Sequence, residues 1–361
     1  MGTAALIGAA RWLQYAGAMI LCGSPLFYLY SFEPGEAPAG WVSWRWPFTL
    51  IRVAAIVTFV GAVAWLIGES LSISDSAVEA LSPAALWLVL SGTRFGLACA
   101  VRMALLVLML VVPSVIRRPR ALWGVQAILG AAVTMSFAWT GHGAMGSGAS
   151  GVWHLGFDLL HLLAAAVWLG ALLPLANLVV SSLRSRSAEE AGWTLRGLER
   201  FSSIGPLVIA LLVLSGIGNS WFLIGPSHWR ATYSTSYGVT LLVKIGLFGA
   251  MLMLAVRNRY WTTPRLRADL TARRDMRAAM ANLRTSLLME TALGLLVVFA
   301  VSLLGTLEPP ITADFKFIPG TDAYSRMPVH QVSMHFEWND EMSFFSWVAG
   351  PGAMLSTMSL R

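Results

Sequence analysis

Charge is what this 361-residue chain has least of. Asp, Glu, Lys and Arg make up 12% of it, where a soluble domain carries about 25%. That shortfall excludes an ordinary water-soluble globule. Cysteine is almost absent too, with only Cys22 and Cys99, so there is no disulfide framework. The sequence has no Gly-rich phosphate loop, no RNA-binding aromatic motif and no basic helix with interleaved aromatics, and neither a nucleotide nor a nucleic acid is expected as a partner. No Lys or Arg precedes the first apolar run, which continues past Arg11 to Tyr30. It is too long for a signal h-region and reads as a membrane helix.

What is present is apolar. Hydrophobic residues reach 57%, mean hydropathy is +0.67, and 16 Trp supply amphipathic rings for the two water interfaces. Runs long enough to cross a bilayer lie near 5–30, 50–68, 94–116, 121–141, 153–180, 203–224, 237–256 and 286–307. The shorter run Pro83–Gly92 reads as an interfacial lead-in to the third span. Arginines collect in alternate connections: Arg117, Arg118 and Arg120; Arg184, Arg186, Arg196 and Arg200; and the cluster from Arg257 to Arg284. The loop after the second span holds Glu69, Asp75 and Glu79 instead. The positive-inside rule places the arginine loops in the cytoplasm and both termini outside. The expected fold is therefore all-α: a polytopic bundle of about eight transmembrane helices over residues 1–307, embedded in lipid, with a periplasmic tail over 308–361. In this topology Cys22 and Cys99 differ in depth by roughly 13 Å, too far for a disulfide or a paired thiolate site. Each is expected to be a small buried hydrophobe.

The costliest residues in such a bundle are polar ones in the middle of spans. His154, Asp158 and His161 fall within roughly 60° of one face of the fifth span. In the topology above they lie in its outer third. Arg102 and Lys244 lie at a depth close to that of Asp158, where they neutralise it, repel metal ions or snorkel outward. Glu290 sits toward the cytoplasmic end of the last span, where it marks an ion exit path or is a helix-end carboxylate near Arg284 or Arg52. All six histidines fall on or near the outer face. His142 stands in the glycine-rich loop Thr140–Gly148, about ten residues from His154, so the fourth and fifth spans are antiparallel neighbours. Met135, Trp139 and His142 recur at i, i+4 and i+7 and share a stripe if the helix continues.

The run His161-Leu-Leu-Ala-Ala-Ala-Val-Trp168-Leu-Gly170, with Leu172, resembles the central motif of the CopD-type copper resistance and copper transport membrane proteins. Arg11-Trp-Leu-Gln-Tyr15-Ala-Gly17, Thr93-Arg94-Phe95-Gly96 with Arg102, and Arg200-Phe201-Ser202 with Ser215-Gly216 are similar to that family in the same order. So is Tyr237-Gly238 through Lys244 to Arg257-Asn258-Arg259 and Pro264. The resemblance covers roughly residues 8–310. It implies copper ions, Cu(I) or Cu(II), as substrate, moved from the periplasmic side toward the cytoplasm across the bacterial inner membrane. Some relatives carry a periplasmic copper-binding β-barrel in the same chain. Here a separate CopC-type protein is the expected partner.

The resemblance gives the polar residues a metal. His154 and His161 supply imidazoles that suit copper, His142 a third, and Met135 a thioether that suits Cu(I). Asp158 supports a ring N–H or acts as counter-ion to Arg102 or Lys244. The other reading of the cluster is an interhelical hydrogen-bond network without metal. In the tail, Met327, His330, Met334 and His335 form a copper-capture patch, and the alternation from Met327 to Glu337 predicts a strand. The run Phe344–Met358, broken by Gly350-Pro351-Gly352, is expected at the interface rather than as a ninth span. Two other functions stay open: a b-type haem electron carrier, for which the cytoplasmic half lacks axial histidines, and copper handover to an oxidase without transport. No nucleophile–base pair is present, so an enzyme is not expected.

Overall fold

Three of the membrane helices start at a hydroxyl residue that accepts from one of the first unpaired backbone N–H groups. Thr93 accepts from the Gly96 N–H, and Thr235 from the Gly238 N–H. Ser187 accepts from the Glu189 N–H, with Glu189 and Glu190 favourably placed in the first turn of that helix. Pro83 and Pro119 open two further helices, where a missing N–H costs nothing.

The computed structural model describes residues 2–33, 45–74, 76–141, 148–185, 187–226, 230–313, 332–335 and 346–349. In chain order the helices are α1 (Thr3–Ser31), α2 (Arg45–Ile73), α3 (Ala77–Ala80), α4 (Pro83–Gly92), α5 (Arg94–Val115), α6 (Pro119–Met135), α7 (Gly148–Ser185), α8 (Ala188–Leu223), α9 (Ala231–Ser234), α10 (Ser236–Arg257), α11 (Thr263–Thr271), α12 (Arg277–Leu304) and α13 (Pro310–Ala313). A 3₁₀ turn, Ser136–Thr140, prolongs α6, and a π-helical turn, Asn258–Thr262, joins α10 to α11. Among the described residues eight helices are long and apolar enough to cross a membrane: α1, α2, α5, α6, α7, α8, α10 and α12. These are the eight spans expected from the sequence. The structure lengthens α8 and α12 at their polar starts. Trp193, Leu195 and Leu198 in the early part of α8 are buried, so the helix goes on packing beyond its apolar run.

α1 is the hub, packed against α2, α6, α7 and α12. Glycines make this possible. A Cβ on Gly23 would lie 2.8 Å from the Gly170 Cα, and Gly130 backs onto the Leu21 carbonyl. The Ser24 hydroxyl donates to the Gly170 carbonyl at 2.7 Å, closing the α1–α7 crossing. Small residues at such crossings let backbones approach where the hydrophobic effect supplies no drive between helices. Cys22 and Cys99 are buried free thiols, as expected.

The arginine-bearing connections gather at one end. Arg120 donates to the Phe32 carbonyl at 3.4 Å, Arg200 lies 3.7 Å from Glu33, and Arg267 pairs with Glu199. At the opposite end Arg11 of α1 donates to the Gly305 carbonyl, just past α12, at 3.1 Å. The start of α1 and the end of α12 therefore share the arginine-poor end. Beyond the bundle, β1 (Val332–His335) pairs antiparallel with β2 (Ser346–Ala349), with Met334 opposite Trp347 and His335 opposite Ser346. β1 lies within the segment whose alternation predicts a strand. β2 lies within the run expected at the interface, and it is extended rather than helical.

Candidate functional site

α7 is Leu-, Ala- and Val-rich along its whole length, so its polar residues stand out by position. His154, His161 and Trp168 recur every seven residues, which puts them on one face at intervals of roughly 10 Å. α8 runs antiparallel against that face, and the contacts step down α7 as they step up α8. The His154 ring stacks on Phe222, with centroids 5.0 Å apart and planes 16° apart. Next, the Asn219 amide donates to Asp158 Oδ1 at 3.5 Å. Then His161 Nδ1 meets the Ser215 hydroxyl at 3.0 Å.

The Ser215 contact assigns the His161 tautomer. Ser215 donates its own proton to the Leu211 carbonyl at 2.5 Å, so toward His161 it acts as acceptor and Nδ1 carries the hydrogen. Nε2 is left with its lone pair, the form that ligates metals. It points at Lys244 of α10, whose Nζ lies 3.5 Å away. Lys244 also attracts Asp158 and is attracted by it, and Tyr237 lies near the same carboxylate. No direct ion pair joins Asp158 to Lys244 among the described residues. The station is thus a neutral imidazole with one face oriented by a hydroxyl and the other covered by a tethered ammonium, while a carboxylate sits one turn away.

Several expectations change here. Arg102 is not a counter-ion to Asp158. It lies fully buried, with its guanidinium bonded to Gln14 Oε1 at 2.8 Å, the Ser136 hydroxyl at 2.8 Å, the Ser136 carbonyl and the Thr140 hydroxyl. The Phe137 ring lies 3.7 Å from its central carbon. Oxygen acceptors on α1 and around the 3₁₀ turn satisfy it without a carboxylate. The stripe of Met135, Trp139 and His142 is interrupted, because from Ser136 the backbone tightens to three residues per turn. Met135 ends α6 half-buried, Trp139 is exposed, and His142 lies outside the described residues. Glu290 does not pair with Arg284 or Arg52, both of which are exposed. It sits midway along α12, 1% exposed, where Trp168 Nε1 donates to Oε1 at 2.8 Å and Asn258 Nδ2 to Oε2 at 3.5 Å.

His154 and His161 occupy separate stations, and among the described residues no three His, Cys, Asp or Glu side chains cluster as a ready-made metal site. Of the tail residues, Met327 and His330 lie outside the described residues, while Met334 and His335 belong to β1. Ser215, Asn219 and Phe222 are the partners that sequence reading missed. A signal existed: Ser215, Asn219 and Phe222 follow at i, i+4 and i+7, so α8 carries a stripe matching that of α7.

Known proteins share this chain's sequence along most of its length. Residues 1–152 match the family described as copper resistance protein D-like, N-terminal domain, and residues 195–304 match copper resistance protein D. The chain is 34% identical to Copper resistance protein D of Pseudomonas syringae pv. tomato over 313 residues, which is 84% of this chain and 97% of that protein. It is 27% identical to Inner membrane protein YebZ of Escherichia coli (strain K12), covering 83% of this chain and 97% of the relative. Copper transport protein CutJ of Bacillus subtilis (strain 168) shares 29% identity over 153 residues, 42% of this chain and 25% of its own length. No solved structure matches. Both halves of the bundle are matched, and one relative is similar along almost its entire length: the protein belongs to the copper resistance protein D family.

Proposed function

We propose that this protein moves copper ions across the bacterial inner membrane, from the periplasmic end toward the arginine-rich, cytoplasmic end, with His161 as the intramembrane station. The observation that carries the reading is the His161 ring itself. It is a neutral imidazole fixed by Ser215 in an apolar helix, with its metal-competent nitrogen turned toward a cation position that Lys244 now fills. Imidazole is a good copper ligand, and a polar group kept at such depth is expensive unless it is used. The family, and relatives named for copper resistance and copper transport, supply the ion. The relative named as an inner-membrane protein supplies the membrane.

In this reading His154 and His142 receive the ion at the arginine-poor end, with Met135 as the nearby soft donor. Met327, His330, Met334 and His335 gather copper in the periplasmic tail, fed by a separate CopC-type protein. Asp158 offsets the charge of the ion as Lys244 yields its place. The test is cytoplasmic copper in cells producing the wild-type chain, His161→Ala or His154→Ala. Wild type should raise copper content and His161→Ala should abolish the rise. Equal copper with and without the protein, alongside a lost oxidase activity, would favour handover without transport.

A further inference from the structure

Glu290 plays no part in that reading, yet it is the most deeply buried carboxylate among the described residues. Its two hydrogen-bond donors, the Trp168 indole and the Asn258 amide, are both neutral. Among the described residues, the elements packed against α12 bring it no cation. Lys244 of α10 ends at His161, and Arg257 is exposed. Arg259 of the π-turn donates to the Ser202 carbonyl. From α11, Arg265 is exposed and Arg267 is paired with Glu199. On α1, Arg11 and Tyr15 bond each other at the Gly305 end, Cys22 is buried with Met19 and Ala166, Tyr28 lies tilted against Trp123 and Tyr30 packs edge-on against Phe27. On α7, Arg184 lies at the last turn. Arg284 of α12 itself is exposed. Burial with only neutral donors withholds from the carboxylate the preference for its charged form that a paired cation would give.

Two further observations turn this into a site. Asn258 Oδ1 and Ser286 Oγ are buried polar atoms without a hydrogen-bond partner. Ser286 lies one turn before Glu290 on the same face of α12. Asn258 opens the π-turn, where the widened backbone sends its carbonyl to the Thr263 N–H and hydroxyl. Such turns are concentrated at functional positions.

We propose that Glu290 is a proton-exchange site, with the Asn258 amide serving both of its protonation states. In the ionised state Nδ2–H donates to Oε2, as observed, and Oδ1 has no partner. In the neutral state the carboxylate has taken a proton from a hydronium ion, whose O–H bond breaks to leave water, and the amide turns over so that the new Oε2–H donates to Oδ1. Trp168 keeps donating to Oε1 in both. On release the O–H bond breaks, the electron pair stays on the carboxylate, and the proton passes to water at the arginine-bearing end. Trp168 lies two turns beyond His161 on the same stripe of α7, so the proton site follows the histidine station in the direction of that end. The site holds a proton whether or not the protein carries copper.

The test is infrared difference spectroscopy on the copper-free, full-length protein in liposomes, stepped between acid and neutral pH. A reversible protonated-carboxyl C=O band is expected in wild type and absent in Glu290→Gln, with Asn258→Leu shifting both its frequency and its midpoint. Where Glu290→Gln does not fold, Glu290→Asp serves, and the band should move. A wild-type protein with no such band at any pH, or a band unchanged in either Glu290 variant, overturns the proposal. Copper binding plays no part in this readout, so failure of the copper reading leaves it intact.

Discussion

Lys244 offers the sharpest test of the His161 station. Its Nζ is 3.5 Å from Nε2, and an ion bonded to Nε2 along the same line at about 2 Å would come within about 1.5 Å of the ammonium. The two cations exclude each other, so Lys244 has to withdraw before copper binds. Withdrawn to about 8 Å, the ammonium still repels a monovalent ion by about 2 kcal/mol at an effective dielectric constant of about 20. Lys244→Leu removes that repulsion and also frees Asp158 to balance the ion. Copper(I) affinity at this site should therefore rise by about 30-fold. The assay is competition against a chromophoric Cu(I) chelator in detergent. Lys244→Arg keeps the charge and should show no gain. Adding His161→Ala to Lys244→Leu should erase the gain, because Nε2 is the atom being uncovered. An unchanged affinity in Lys244→Leu, or a gain that survives His161→Ala, refutes the reasoning.

Other consequences are separable from this one. Ser215→Ala removes the acceptor that holds the His161 Nδ1–H, so copper affinity should fall by about 10- to 100-fold in the same titration while the protein stays inserted. Arg102→Met leaves Gln14 Oε1 and the Ser136 and Thr140 oxygens without their donor, costing about 1–3 kcal/mol per orphaned group. It should lower the thermal midpoint in detergent and leave copper affinity unchanged, whereas a drop in affinity would return Arg102 to the role of partner for Asp158. Gly170→Val drives a side chain into the backbone of α1 around Met19 and Gly23, and overpacking of this kind costs at least about 1–3 kcal/mol. Size-exclusion profiles and thermal melts should show loss of the folded bundle, with Gly246→Val on α10, which faces open space, as the neutral control.

The spans were legible because hydrocarbon imposes a simple demand: about twenty apolar residues per crossing, with arginine kept to one side. Nothing in that demand says which helix is central. α1 takes that place through Gly17, Gly23 and the small residues facing them, a property of contact surfaces rather than of hydropathy. The same limit applies to the starts of α8 and α12. In α8, polar sequence continues as helix because Ser187 caps it and buried Trp193 and Leu198 anchor it.

The polar residues divide along the same line. That His154, Asp158 and His161 share a face follows from helical spacing alone. Who answers each of them depends on which helix lies opposite and in which register, and only α8 in antiparallel register brings Phe222, Asn219 and Ser215 to the three in turn. Depth is a poor guide: Arg102 and Lys244 lie at similar depths, yet α1 and the 3₁₀ turn claim the first and His161 the second. Glu290 shows the reverse error. Counted from the end of its apolar run it reads as a helix-end acid within reach of arginine, but α12 begins at Arg277, well before that run. The carboxylate therefore falls mid-helix, against Trp168. A heptad on α7 thus links two chemistries, a histidine covered by a tethered cation and a carboxylate held by neutral donors, and the interval between them is set by the helix itself.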